Sequence, residues 1–156
     1  MIYVFDNSPL SALFKNYYRG VFRTLWQGFD DLVDAGQVLS TREVLREIGD
    51  SSIEALRTWA VDHKDIFATP TAEEAAFVAR IYEVQHFQQN IEAKKLLKGG
   101  HNADPFVIAR AAATGGTVVT MELFKDNAAK IPNICRHFDV PCMTLEEFMQ
   151  AEGWAF

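Results

Sequence analysis

Ile2-Tyr3-Val4-Phe5-Asp6-Asn7-Ser8-Pro9 decides how the chain is read. Its first four residues are β-branched or aromatic, a run that suits a buried strand, and the run stops at a carboxylate. Asn7, Ser8 and Pro9 then read as a turn and helix entry. Ser8 is placed to cap, and Pro9 is tolerated in a first helical turn. The pattern predicts a helix over residues 10–14. A strand that ends on an acid and feeds a helix opens an α/β unit. In a parallel sheet, ligands gather at the carboxyl ends of such strands.

Downstream the alternation continues. Val21, Phe22, Leu25, Phe29, Leu32 and Val33 give one apolar helical stripe over residues 21–35, closed by Gly36. A second strand is predicted at 37–40. A helix capped by Ser40 or Thr41 follows, with Val44, Leu45 and Ile48 on its apolar side. Residues 49–52 break it, and a longer helix is predicted over 53–63. Residues 66–68 read as a weak third strand. Thr71 and Glu74 have the spacing of a capping box at the head of a helix running through Tyr82. Residues 86–100, polar and lysine-bearing, read as a helical, mobile segment. An apolar helix over 103–114 ends at Gly115-Gly116, and a strand at 117–120 follows. After a polar loop at 123–133, a short helix is expected at 134–138, a strand at 140–143, and a last helix capped by Thr144 through Met149. Helices alternating with strands predict an α/β fold around a mostly parallel sheet of four to five strands.

A chain of 156 residues suits one domain with a real core, and residues 1–156 are taken as one unit. No apolar run approaches the roughly 20 residues of a membrane span. No secretory signal is legible, so a cytoplasmic protein is expected. Cys135 and Cys142 are expected to be reduced thiols; with His137 they fall one ligand short of a zinc site. The net charge of −6 argues against binding nucleic acid through a broadly basic surface.

The acids carry the chemistry. Asp6 ends the first strand, Glu122 lies two residues past Thr120 at the end of a late strand, and Asp104 opens the helix before that strand. Glu43 and Glu47, one turn apart, share a face of the helix after the second strand. Singly, each has a plain structural account. Asp6 is a cap, Asp104 followed by Pro105 is an N-cap with proline behind it, Glu43 and Glu47 pair with Arg42 and Arg46, and Glu122 is a loop acid. Jointly they stand at successive strand ends. Clustered carboxylates repel, and hard divalent cations with oxygen preference resolve that repulsion.

On these residues the chain resembles the PIN-domain family, including the VapC-like toxin ribonucleases, and within it an uncharacterised subgroup. Tyr3-Val4-Phe5-Asp6-Asn7-Ser8 looks like the family's first strand and acid, and Glu43–Ile48 like its second-acid helix. Ala103-Asp104-Pro105-Phe106-Val107-Ile108-Ala109 is similar to its alanine–aspartate helix start. Val118-Val119-Thr120-Met121-Glu122 is similar to its closing T-x-D element, with Glu in place of Asp. The resemblance implies a three-layer α/β/α PIN-like fold and a metal-dependent endoribonuclease in which a metal-activated water hydrolyses RNA. It implies Asp6, Asp104 and Glu47 (or Glu43) as ligands of one or two Mg²⁺ or Mn²⁺ ions. Glu122 would be the fourth acid, with Ser8 and Thr120 in support. It also implies a toxin with a cognate antitoxin, acting as a homodimer on single-stranded or loop RNA. Lys94, Lys95 and Lys98 are candidate RNA contacts, with Lys15, Arg19 and Arg23 as a second basic group and Tyr17 and Tyr18 as candidate stacking residues.

Two other readings compete. A haloacid-dehalogenase-type phosphotransferase also uses a strand-end Asp but wants a second Asp two positions on, where this chain has Ser8. A catalytically silent PIN-like module that only binds RNA or protein fits the Glu122 variation.

Overall fold

Five short strands join into one sheet, every pair parallel, in the order β3-β2-β1-β4-β5. They are β1 (Tyr3–Phe5), β2 (Val38–Thr41), β3 (Phe67–Ala68), β4 (Thr117–Val119) and β5 (Cys142–Met143). This is a computed structural model; it describes residues 1–97 and 102–156, without the side chains of 94–97. β1 lies at the centre, with Val4 opposite Leu39 on one side and Val118 on the other. Its three residues are buried, as a central parallel strand requires. Ser40 adds a side-chain tie, its Oγ donating to the Phe5 carbonyl at 2.7 Å.

Helices cover both faces. Tyr3 and Phe5, two apart, point to the same side. There they meet α2 (Arg23–Asp34) through Phe29 and α9 (Leu145–Ala151) through Phe148. α7 (Asp104–Thr114) packs on β1, β2 and β4, with α5 (Ala72–Glu83) and α8 (Ile131–His137) behind it. α1 (Asn7–Asn16), α3 (Arg42–Gly49) and α4 (Glu54–Asp62) pack together, and α6 (Gln88–Leu97) comes between α5 and α7 in the chain. The expected three-layer α/β arrangement is what forms. No described helix is long and apolar enough to cross a membrane.

Local departures from expectation have local causes. α1 starts earlier than predicted: Asp6 is its N-cap position and Ser8 lies inside the first turn, so Ser8 does not cap. The cap of α3 is Thr41, whose side chain accepts from the Val44 amide at 3.2 Å. Thr71 accepts from the Glu74 amide, but the Glu74 carboxylate turns instead to Arg110 at 3.3 Å, so half of the expected box forms. Thr144 and Glu147 make the complete one. β5 is shorter than the sequence suggests because Pro141 has no amide to donate and the Val140 amide is used by the Cys135 carbonyl. Gly115 ends α7 at φ +69, where a side chain would be strained.

Candidate active site

The sheet order reverses between β1 and β4, since β2 and β3 lie to one side of β1 and β4 and β5 to the other. At such a switch point a crevice opens beyond the carboxyl ends of the strands. Phe5 and Val119 are register partners there, so the residues that follow them, Asp6 and Thr120, emerge side by side. Thr120 Oγ1 donates to Asp6 Oδ2 at 3.2 Å, and Ser8 Oγ donates to the same oxygen at 3.2 Å. Ser8 Oγ also accepts from the Met121 amide at 3.2 Å, which ties the loop after β4 to the acid.

Asp104 is completely buried. It is the first residue of α7, with Ala103 at the N-cap position, so the N-cap account of Asp104 does not hold. A carboxylate in the first turn suits the positive end of the helix dipole. Its Oδ2 accepts from Asn90 Nδ2 at 2.9 Å, and the same amide group donates to the Ala129 carbonyl at 3.0 Å. Asn102 extends the chain, donating to Asn90 Oδ1 at 2.9 Å and to the Tyr82 hydroxyl at 3.3 Å. The Tyr82 phenol is pushed well above its ordinary range, first by burial and then by the charge of Asp104, with Asn102 opposing.

The two helix acids part ways. Both are buried on α3. Arg42 forks onto Glu43 Oε2 at 3.0 and 3.1 Å, while Glu47 Oε2 accepts from the Ala103 amide at 3.3 Å, beside Asp104. Glu122 is half-buried; its Oε2 accepts from the Ile131 amide at the head of α8, at 3.2 Å. Glu122 acts by charge on both Cys135 and Cys142, Asp104 on Cys135 and Asp6 on Cys142. Pairing with Cys142 and burial push the Cys135 thiol far up, and both cysteines are free.

Among the described residues, no three His, Cys, Asp or Glu side chains converge closely enough to enclose an ion, which also leaves Cys135, His137 and Cys142 without a zinc cage. The donor chemistry suits a different kind of site. Asp6, Glu47 and Asp104 offer hard oxygens only, and Mg²⁺ keeps several waters, binding through one or two carboxylates. In donor chemistry these residues would suit a hydrated Mg²⁺ or Mn²⁺.

Of the basic candidates, Lys98 lies outside the described residues, as do the side chains of Lys94 and Lys95. Lys15 stands at the far end of α1, about 14 Å from Asp6 at roughly 1.5 Å per residue, and Arg19 and Arg23 follow after that helix. Arg19 is engaged there by Asp30 at 3.0 Å and lies 4.0 Å from the Trp26 ring centroid. Tyr17 packs edge-on against Phe22, and Tyr18 is exposed.

Asn90 is the residue that sequence reasoning missed. An asparagine inside a helix, a poor helix former at a buried position, was the available signal. Replacing it with alanine leaves the Ala129 carbonyl and the Asn102 side chain without this buried partner. Asn90→Ala should lose about 1–3 kcal/mol of unfolding free energy. A urea midpoint equal to wild type would show that the amide does not hold the site together.

An α/β protein with a parallel sheet whose switch point carries the buried Asp6 is thus the class that the fold defines. The chain belongs to the family described as "Domain of unknown function (DUF4411)", which matches residues 3–156. No curated protein matches it in sequence. Among solved structures, the chain is similar to that of VapBC2 from Rickettsia felis bound to a DNA fragment from their promoter. The TM-score is 0.49 and the identity 13%, over 92% of this chain and 98% of that one.

Proposed function

We infer that the chain is a metal-dependent endoribonuclease that cleaves RNA phosphodiester bonds with a metal-activated water, and that it acts as the toxin of a toxin–antitoxin pair. One observation carries the reading. Asp6, Glu47 and Asp104 come from three distant parts of the sequence and are all buried, Asp6 beside the switch point of the sheet and Glu47 bonded to the amide next to Asp104. The motif resemblance to PIN-domain ribonucleases supports it independently.

Asp6, Asp104 and Glu47 would hold Mg²⁺ or Mn²⁺. When bound, such an ion acidifies a water and neutralises charge on the scissile phosphate. The protein groups supply position. Ser8 and Thr120 hold Asp6 Oδ2 with hydroxyl donors, which orient a carboxylate without cancelling its charge. Asn90 does the same for Asp104. Glu47, tied to the Ala103 amide, is placed beside Asp104, whereas Glu43 is occupied by Arg42. Glu47 is therefore the helix ligand of this reading. Glu122 braces α8 and the loop after β4 and would act on the site through water.

The purified chain should cut single-stranded RNA in Mg²⁺ or Mn²⁺, leaving 3′-hydroxyl and 5′-phosphate ends. Chelation should stop cleavage, and added metal should restore it. Cleavage unaffected by chelator would remove the metal from the mechanism. Induced alone, the chain should arrest growth, and a cognate antitoxin protein should relieve it; a homodimer is the expected assembly. Because the Glu122 carboxylate is engaged by Ile131, a silent RNA- or protein-binding module is the second reading. RNA binding without cleavage in either metal would select it.

A further inference from the structure

An open cavity of about 350 Å³ lies between the loop after β4, α8, β5 and α9, and Glu122 on its lining is two residues past Thr120, which bonds Asp6. Leu123 and Phe124 come from the loop after β4, Arg136 from α8, and Met143 and Glu147 from β5 and α9. The geometry points to this cavity as a seat for one nucleobase of a single-stranded RNA, stacked on Phe124 next to the scissile phosphate. This inference rests on the nuclease reading.

The loop exposes apolar surface where a soluble protein would hide it. Met121, Leu123 and Phe124 are 47%, 65% and 44% exposed and fall within four consecutive residues that include Glu122. Such clustering on a surface marks contact with something. The occupant follows from the chemistry. Arg136 holds its guanidinium 4.9 Å from the Phe124 ring centroid, so an aromatic face and a planar cation already stand together at the mouth. That pair is the surface on which bases stack, whatever their identity. Glu122 and Glu147 on the walls repel a phosphate but not the face of a neutral base. The net charge of −6 argues against a broadly basic surface that would hold RNA by its backbone, which gives stacking a larger share of the affinity.

The seat is rigid and keyed to the acids. Ser8 bonds both Asp6 and the Met121 amide, Thr120 Oγ1 accepts from the Glu122 amide at 3.2 Å, and Asn133 donates to the Lys125 carbonyl at 2.7 Å. A base on Phe124 would therefore sit at a set distance from Asp6.

The test is equilibrium binding of fluorescent single-stranded RNA to the wild-type chain in chelator, where no turnover occurs, read by anisotropy. An abasic ribose-phosphate chain of equal length is the control. Phe124→Ala should weaken RNA binding about 5- to 100-fold. Phe124→Trp should restore it, and the abasic chain should bind wild type and Phe124→Ala alike. Equal RNA affinity in wild type and Phe124→Ala, or no RNA binding by wild type, overturns the proposal and leaves the loop to a protein contact. An equal loss for the abasic chain also overturns it. The predicted binding pattern without cleavage in metal would sink the nuclease reading alone. Cleavage with unchanged Phe124→Ala binding would sink the base seat alone.

Discussion

Asparagine at position 104 should leave the protein folded while slowing metal-dependent RNA cleavage roughly a thousandfold, the rate equivalent of the several kcal/mol that a catalytic ion supplies. The substitution keeps shape and removes charge. Asp104 is fully buried at the first turn of α7, and Asn90 Nδ2 donates to its Oδ2 at 2.9 Å. In Asp104→Asn the new side-chain oxygen has to face Asn90, because two amide donors cannot bond each other. The new NH₂ group then takes the place of the other carboxylate oxygen, where a cation would need a lone pair. Folding loses little, since a neutral amide is easier to bury than a carboxylate. The urea midpoint should stay near that of wild type. The assay is single-turnover cleavage of labelled RNA in Mg²⁺ and Mn²⁺, with circular dichroism on the same preparation. A folded variant that cuts at the wild-type rate would take Asp104 out of the chemistry and the nuclease assignment with it.

What could be read without coordinates was whatever local pattern dictates. The run Tyr3-Val4-Phe5 demanded a buried strand, Thr144 suited a cap, and Gly115 demanded a helix end; all three are present. Helices alternating with strands gave the parallel sheet. Placement across the sheet was not local and so was not legible. Nothing in the residues says that β1 lies between β2 and β4, yet that order makes Asp6 and Thr120 neighbours. Glu43 and Glu47 are equivalent by spacing, yet Arg42 reaches the first and the Ala103 amide, 56 residues on, reaches the second. Asn90 looked like one more polar residue in a polar helix. Its partners are Asp104, 14 residues away, and Ala129, 39 residues away. Ser8 was read as a cap because its neighbours fit one. The chain instead starts α1 at Asn7, with Asp6 at the N-cap position, and uses the Ser8 hydroxyl on the acid.

The rigidity of the Asp6 position depends on the layer beneath it, and Phe148→Ala should expose that dependence. Phe148 is fully buried on α9. Its ring meets Tyr3 at 4.6 Å, Phe5 at 5.1 Å and Trp154 at 5.3 Å between centroids, each edge to face. Truncation loses the transfer free energy of a phenyl ring and leaves a cavity bounded by two residues of the central strand. The Tyr3 hydroxyl bonds Glu152 on the next turn beyond α9, and Trp154 lies tightly against Gly28. These contacts keep the C-terminal segment from collapsing into the gap, so relaxation recovers little. The cost should be about 3–5 kcal/mol, the range for large aromatic truncations in cores. At roughly 2–4 °C per kcal/mol for a chain of this size, the midpoint of thermal unfolding should fall by about 10 °C. Phe148→Leu refills much of the volume and should cost clearly less. Val61→Ala, at an exposed position on α4, should stay within about 0.5 kcal/mol. If Phe148→Ala unfolded at the same temperature as Val61→Ala, the face of β1 that carries Tyr3 and Phe5 would not be the core described, and the strand that presents Asp6 would be held by other contacts.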